Sequence, residues 1–162
     1  MAVVSMNNLV QKIKDGYIFD LPVVSTGTPT NIIKQGELVY WDATNKNIKS
    51  LDSDANAATF LGVADDQYPI NSNIDNGTVA GANSMSVGFN NIYSFKTTAG
   101  DTYVNFSEVY IGADSQTITN TAGAMTHKIG YIKLPSGVTS VAGGAGVSVP
   151  VYIYSKHPEA SY

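Results

Sequence analysis

Val39-Tyr40-Trp41-Asp42-Ala43 returns 70 residues later as Val109-Tyr110-Ile111-Gly112-Ala113, and at the same offset Ile48 falls on Ile118. Phe60-Leu61-Gly62-Val63-Ala64 returns as Lys128-Ile129-Gly130-Tyr131-Ile132 at an offset of 68. Val79-Ala80-Gly81 through Met85-Ser86-Val87 returns as Val141-Ala142-Gly143 through Val147-Ser148-Val149 at an offset of 62. The blocks keep their order, and the changes of offset fall in Asp-, Asn- and Gly-rich loops, where length changes cost little. Each copy reads as strand, polar turn, short strand, loop, strand carrying a glycine, loop, strand. Two copies are too few for a solenoid. The reading is an all-β fold, a small β-barrel or β-sandwich of two related β-units at about residues 36–95 and 106–154. Chance recurrence in a chain rich in Val, Tyr, Ala and Gly is the competing explanation, and equivalent strand positions for Val39 and Val109 separate the two.

Outward from the repeat, β-branched and aromatic runs alternate with turn clusters at the spacing of roughly 8–12 residues that marks barrels and sandwiches. Tyr17 to Leu21, Glu37 to Trp41, Ile48 to Leu51, Thr59 to Ala64, Thr78 to Ala82, Met85 to Phe89, Ile92 to Phe95, Tyr103 to Phe106, Glu108 to Ile111, Thr117 to Thr119, Lys128 to Leu134 and Val147 to Tyr154 are such runs. Strands do not alternate with helices, which excludes a parallel α/β sheet. Met6 to Asp15 alone reads as a helix: Leu9, Val10 and Ile13 share a face, Ser5 or Asn7 can cap the start, and Gly16 can end it. So short a helix is marginal unless it packs on something. Residues 1–31 are therefore read as an N-terminal arm with one short helix, residues 32–154 as the β-domain and residues 155–162 as an exposed tail. The first ~20 residues are expected to dock on a neighbouring chain; plugging one end of the chain's own barrel is the alternative.

The chain has 162 residues, about one domain's worth, with 43% hydrophobic and only 14% charged residues. Its net charge of −4 argues against nucleic acid, whose binding rests on clustered Lys and Arg, and against an anionic membrane surface. With no cysteine, disulfides, thiolate metal sites and cysteine nucleophiles are excluded. No apolar run approaches the ~20 residues of a membrane-spanning helix, and no charged leader precedes an apolar stretch, so cytoplasmic synthesis of a soluble protein is expected. Ten Tyr and one Trp against five Phe favour surfaces where an aromatic body is covered and a polar end stays wet.

Candidate chemistry is sparse. His157 lies in the polar tail, and His127 has no acidic or serine partner at a recognisable spacing. No Gly-x-Ser-x-Gly elbow occurs, and Asp65-Asp66 with Glu37 or Asp42 carries no spacing signal of a catalytic carboxylate pair. Asp52-x-Asp54-x-Asn56 and Asn71-x-Asn73-x-Asp75 resemble calcium loops, but Ala57 and Asn76 stand where the turn glycine belongs, and Val63 and Ala82 where a bidentate Glu belongs. Gly143-Gly144-Ala145-Gly146 lacks the Lys-Ser or Lys-Thr of a phosphate loop. The expectation is a protein that is not an enzyme and has no cofactor and no metal.

Gly36-Glu37-Leu38-Val39, Phe60-Leu61-Gly62-Val63-Ala64 and Met85-Ser86-Val87 resemble the strand signatures of tailed-bacteriophage capsid cement, or head decoration, proteins, over roughly residues 32 to 153. Asp65 to Gly77 is longer than the run that usually follows Gly-Val-Ala in that family. The resemblance implies a small barrel-like protein, made in the host cytoplasm and carried on the outer capsid surface of the virion. It also implies a homotrimer that binds the major capsid protein and stabilises the head without catalysis. On that reading the expected shell or partner contacts are Leu9, Val10, Ile13, Tyr17 and Trp41. A carbohydrate-binding β-domain, with Trp41 and nearby tyrosines stacking on sugars, is the alternative reading, and an accessory domain of an enzyme is a third.

Overall fold

Strands form where apolar residues alternate with polar ones. In Ile92–Thr97 the side chains of Tyr93, Phe95 and Thr97 are buried and those between them half-exposed. Ser148–Ile153 buries Val149, Val151 and Ile153 in the same way. The computed structural model describes residues 17–22, 33–45, 47–65 and 84–154, and these hold twelve strands and one 3-10 turn at Asn56–Thr59. The helix read over Met6 to Asp15 and the strand read over Thr78 to Ala82 lie outside the described residues.

Two sheets account for ten strands. The first runs β1 (Tyr17–Pro22), β5 (Ser84–Phe89), β4 (Phe60–Ala64), β2 (Leu38–Asp42), β3 (Asn47–Ser50). The second runs β6 (Ile92–Thr97), β12 (Ser148–Ile153), β10 (Gly130–Ile132), β8 (Glu108–Ile111), β9 (Thr117–Thr119), and closes into a barrel through a parallel β9–β6 pairing. Closure removes the free edges of that sheet. The remaining pair, β7 (Thr102–Val104) and β11 (Ser140–Ala142), forms a separate antiparallel ribbon.

The two five-stranded units share one strand order and one register. Val39 stands opposite Gly62 as Val109 stands opposite Gly130. Trp41 faces Ile48 as Ile111 faces Ile118, and Ala64 faces Val87 as Ile132 faces Val151. Val39 and Val109 thus hold equivalent strand positions. In the first unit β1 approaches β3 at the place where β6 pairs with β9 in the second.

Three expectations are corrected. Ladder partners pair Val87 with Val151, an offset of 64 rather than 62. A slip of two residues keeps every side chain on its face, so alternation alone could not detect it. Val141 and Ala142 accordingly belong to the β7–β11 ribbon and not to the barrel wall. The first unit does not extend to residue 95, because β6 pairs with β12 and β9; its counterpart in the first unit is β1. Tyr17 to Pro22, read as part of an arm reaching a neighbour, instead pair with the chain's own β5; residues 1–16 lie outside the described residues.

Ile33, Val39, Ile48, Leu61, Ala64 and Val87 form a core within the first unit. Leu38, Tyr40, Leu51, Ala57, Phe60 and Val63 join the interior of the closed barrel in one larger cluster with Tyr93, Phe95, Ile118 and Val151. Polar ties reinforce that junction. The Leu38 amide donates to the Ser115 carbonyl at 2.7 Å. Buried Glu37 accepts from Ser50 Oγ, the Lys34 amide and Gln116 Nε2. Asn90, in a left-handed conformation (φ 54°) that Asn tolerates, carries the chain from one unit to the next, its amide bonded to the Ile153 carbonyl.

Both units need glycine at one matched position. A methyl group at Gly62 would lie 2.3 Å from the Gly88 carbonyl oxygen, and one at Gly130 would lie 2.2 Å from that of Tyr152. Backbone cannot yield as a flexible side chain does. Gly130→Ala is expected to destabilise the protein by about 1–3 kcal/mol in urea titrations, and Gly62→Ala likewise. Gly144→Ala, whose methyl would meet only Val147 at 3.8 Å, should stay within about 0.5 kcal/mol of the wild type.

Candidate functional site

The inward residues of β10 and β12 are Gly130, Ile132, Val149, Val151 and Ile153, so the alternate positions point outward. In most half-exposed strands those positions carry Thr, Ser or Lys; here several are tyrosine. Tyr131 and Tyr152 are direct cross-strand partners, with ring centroids 5.0 Å apart and planes inclined by 23°. Tyr154 adds a third ring 5.8 Å from Tyr131. Phe106 supplies a fourth from the turn after β7, 6.3 Å from Tyr131 and tilted by 38°. The Lys133 ammonium sits 4.7 Å from the centre of the Phe106 ring, and among the described residues no carboxylate pairs with it.

Phe106 is 62% exposed and holds a φ of 66°, a left-handed conformation that costs a bulky side chain about 1–2 kcal/mol. Its surroundings impose it. The Phe106 amide donates to the Ile132 carbonyl, the Ser107 amide to Val104, and the Ile132 amide to Ser107, while Asn105 Oδ1 accepts the Leu134 amide at 3.0 Å. The large hydrophobic residues left exposed among the described residues are Val104, Phe106 and Val138. Val104 lies on the ribbon opposite Ser140, whereas Phe106 alone of the three is shown in contact with the tyrosines. Glu108, opposite Tyr131 on β8, is tied to Lys128. Burial, then the Glu108 carboxylate, raises the Tyr154 phenol above its ordinary value against the pull of Lys128, so its hydroxyl is neutral at physiological pH.

Tyr152 covers one face of Tyr131, and the Lys133 ammonium sits over one face of Phe106. Such a surface suits the side chains of a protein partner, where tyrosine and cations beside aromatics supply much of the binding energy.

Of the contacts read from the sequence, the described ones, Trp41 and Tyr17, lie on strands of the first sheet and not on this face. Trp41 is half-buried against the core of Ile33, Val39 and Ile48, its carbonyl accepting from Thr59 Oγ1, and neighbouring Tyr40 is buried. Tyr17 stands opposite Phe89 in the first sheet. Leu9, Val10 and Ile13 lie outside the described residues. The signal for Tyr131, Tyr152 and Tyr154 was their alternation with buried Ile132, Val151 and Ile153. Phe106 had no such signal, since its exposure follows from the turn.

The polar loops have structural duties. Asp52 accepts from Asn56 Nδ2. Asp54 turns to the second unit and accepts the amides of Thr126 and His127 at 3.0 Å, with His127 Nδ1 at 3.2 Å. His127 thus has an acidic partner 73 positions away, beyond any spacing motif. Asp101 accepts from Tyr103, Thr119 and Thr121 hydroxyls and from the Asn120 amide. Burial drives the Tyr103 phenol up to about 12, and its hydroxyl donates to the Ile118 carbonyl at 2.7 Å.

Two experiments follow. Burial alone would raise the carboxyls of Asp54 and Asp101, but their hydrogen bonds outweigh it and hold both below the ordinary value. A group lowered on folding lends stability above its unfolded pKa, near 4, and loses it as pH falls through the folded value. The urea midpoint should therefore drop as pH falls from about 5 toward 3, and Asp54→Asn and Asp101→Asn should each flatten that slope. Phe106→Gly, which relieves the left-handed strain, should leave the midpoint unchanged or raise stability by up to about 1 kcal/mol.

No family model matches the chain and no curated protein matches it, so the function is argued from this aromatic face and the architecture that carries it.

Proposed function

We propose that this protein is a capsid decoration protein: a non-catalytic module that binds the outer surface of an assembled tailed-phage head, meets the major capsid protein through the aromatic face and stabilises the shell. The observation that carries this reading is the gathering of Phe106, Tyr131, Tyr152 and Tyr154 on the outside of a closed barrel, with Phe106 largely exposed. Monomeric soluble proteins rarely expose contiguous apolar patches of size without a partner for them. The strand signatures around Gly36, Gly62 and Met85 point the same way.

The physics of decoration fits such a face. A trimer presents three copies of a modest contact, and engaging them together makes a weak interaction effectively tight. A protein that binds only the assembled shell stabilises that shell by mass action. Neither effect needs strong charge, and a chain of net charge −4 avoids the packaged nucleic acid.

The test is sedimentation of the purified protein with emptied, expanded heads that lack it, followed by heating. Binding and a raised disruption temperature are expected. Phe106→Ser and Tyr131→Ser, checked for folding by circular dichroism, should each weaken binding by at least about tenfold. Failure to bind heads, with retention on an immobilised glycan instead, overturns the proposal in favour of carbohydrate binding.

A further inference from the structure

We infer that β11 is a self-complementary strand edge through which two copies of this chain pair antiparallel about Val141. Gly143 donates its amide to the Asp101 carbonyl at 2.8 Å, one step beyond the ladder in which Ala142 faces Thr102 and Val141 faces Tyr103. In an antiparallel pair, residues that exchange hydrogen bonds alternate with residues that do not. Gly143 is of the first kind, so Val141 is too, and Ser140 and Ala142 are of the second. The N–H and C=O of Ser140 and Ala142 therefore point away from β7. On β7 the same rule holds: the outward carbonyl of Thr102 accepts Asn120 Nδ2 and that of Val104 accepts the Ser107 amide and hydroxyl. Nothing among the described residues takes the four outward groups of β11, and Ser140 and Ala142 are exposed.

Natural sheets guard such edges with lysine, proline or a bulge. Here none of these devices is present. From Pro135 to Ser155 the sequence has no charged residue and no histidine, and from Ser136 to Val149 no proline. Ser140 and Ala142, whose backbone groups form the edge, carry small exposed side chains on one face of the ribbon.

A second copy is the occupant this edge fits. With Val141 opposite its own counterpart, Ser140 of each chain exchanges both hydrogen bonds with Ala142 of the other, and all four outward groups are satisfied at once. That isologous arrangement needs no further sequence. Chains of like net charge repel elsewhere, but this edge is uncharged. The contact is short, so it belongs with weak, concentration-dependent interfaces. It goes beyond decoration and does not depend on it; in a decorated shell it would join neighbouring copies.

The absence of cysteine makes the register testable. Val141→Cys would face its own copy at a non-hydrogen-bonded position, where Cα atoms stand about 4.5 Å apart, within disulfide range. Thr139→Cys, more exposed, would face Gly143 of the other copy and so no thiol. Under mild oxidation Val141→Cys should cross-link at least about tenfold faster than Thr139→Cys. Sedimentation equilibrium should show the wild-type species doubling with concentration, a chain to a dimer or the decoration trimer to a hexamer, and Ala142→Lys, which guards the edge, should weaken that doubling by a similar factor. Equal or faster cross-linking of Thr139→Cys overturns the inference. So does a wild type whose monomer or trimer shows no pairwise doubling up to about 1 mM, including the case in which the edge amides gain exchange protection only on capsids, which would leave the decoration proposal standing.

Discussion

At Gly130 a methyl group would stand 2.2 Å from the Tyr152 carbonyl oxygen, so β10 and β12 pair in this register only because that position carries hydrogen alone. The rest of the second unit depends on the pairing. It places Ile132, Val151 and Ile153 inside the barrel, and it brings Tyr131 and Tyr152 together as cross-strand partners on the outside. The same requirement appears at Gly62 against the Gly88 carbonyl, at the matching point of the first unit. One small residue thus explains both the repeated Gly in Leu61-Gly62-Val63 and Ile129-Gly130-Tyr131 and the stacking that gives the outer face its character.

The halves differ in how completely they close. In the second, Lys96 and Thr97 pair in parallel with Thr117 and Ile118, so the sheet has no edge. In the first, β1 and β3 approach without such a ladder, and the sheet's outer apolar residues, Leu38, Tyr40, Phe60 and Val63, are covered by merging with the second core. The second barrel can therefore present a rigid outer surface. Rigidity matters for binding, because rings already packed against one another lose little rotamer freedom when a partner arrives.

Strand positions were legible because periodicity reports directly on burial. Val39, Gly62, Val109 and Gly130 could be matched from spacing alone, and the ladders pair them so. What spacing could not supply was absolute register across long loops, since the slip at Val87 changes no side chain's face. Nor could it link β1 to β6: Ile18-Phe19-Asp20-Leu21 and Ile92-Tyr93-Ser94-Phe95 share an apolar pattern but few identities, and their equivalence emerges only from the strands they border. The aromatic face was half legible. Three outward tyrosines could be read from alternation, whereas Phe106 owes its position to Asn105 and Ser107 holding a turn that no local propensity favours.

The turn at Phe106 is costly for an exposed aromatic residue. Asn105, Phe106 and Ser107 all bond into strands that would exist without an aromatic residue at position 106, and glycine would adopt the same φ without strain. A phenyl ring there gains only partial burial against Tyr131 and the Lys133 side chain, with more than half its surface in water. The intramolecular contacts are thus a weak return on a left-handed backbone. A partner that covers Phe106 would add the apolar burial that the isolated chain lacks, roughly 25 cal/mol for each Å² removed from water. Strain at an exposed aromatic residue, on a frame rigid enough to hold it, is what a surface built for contact with another molecule would show.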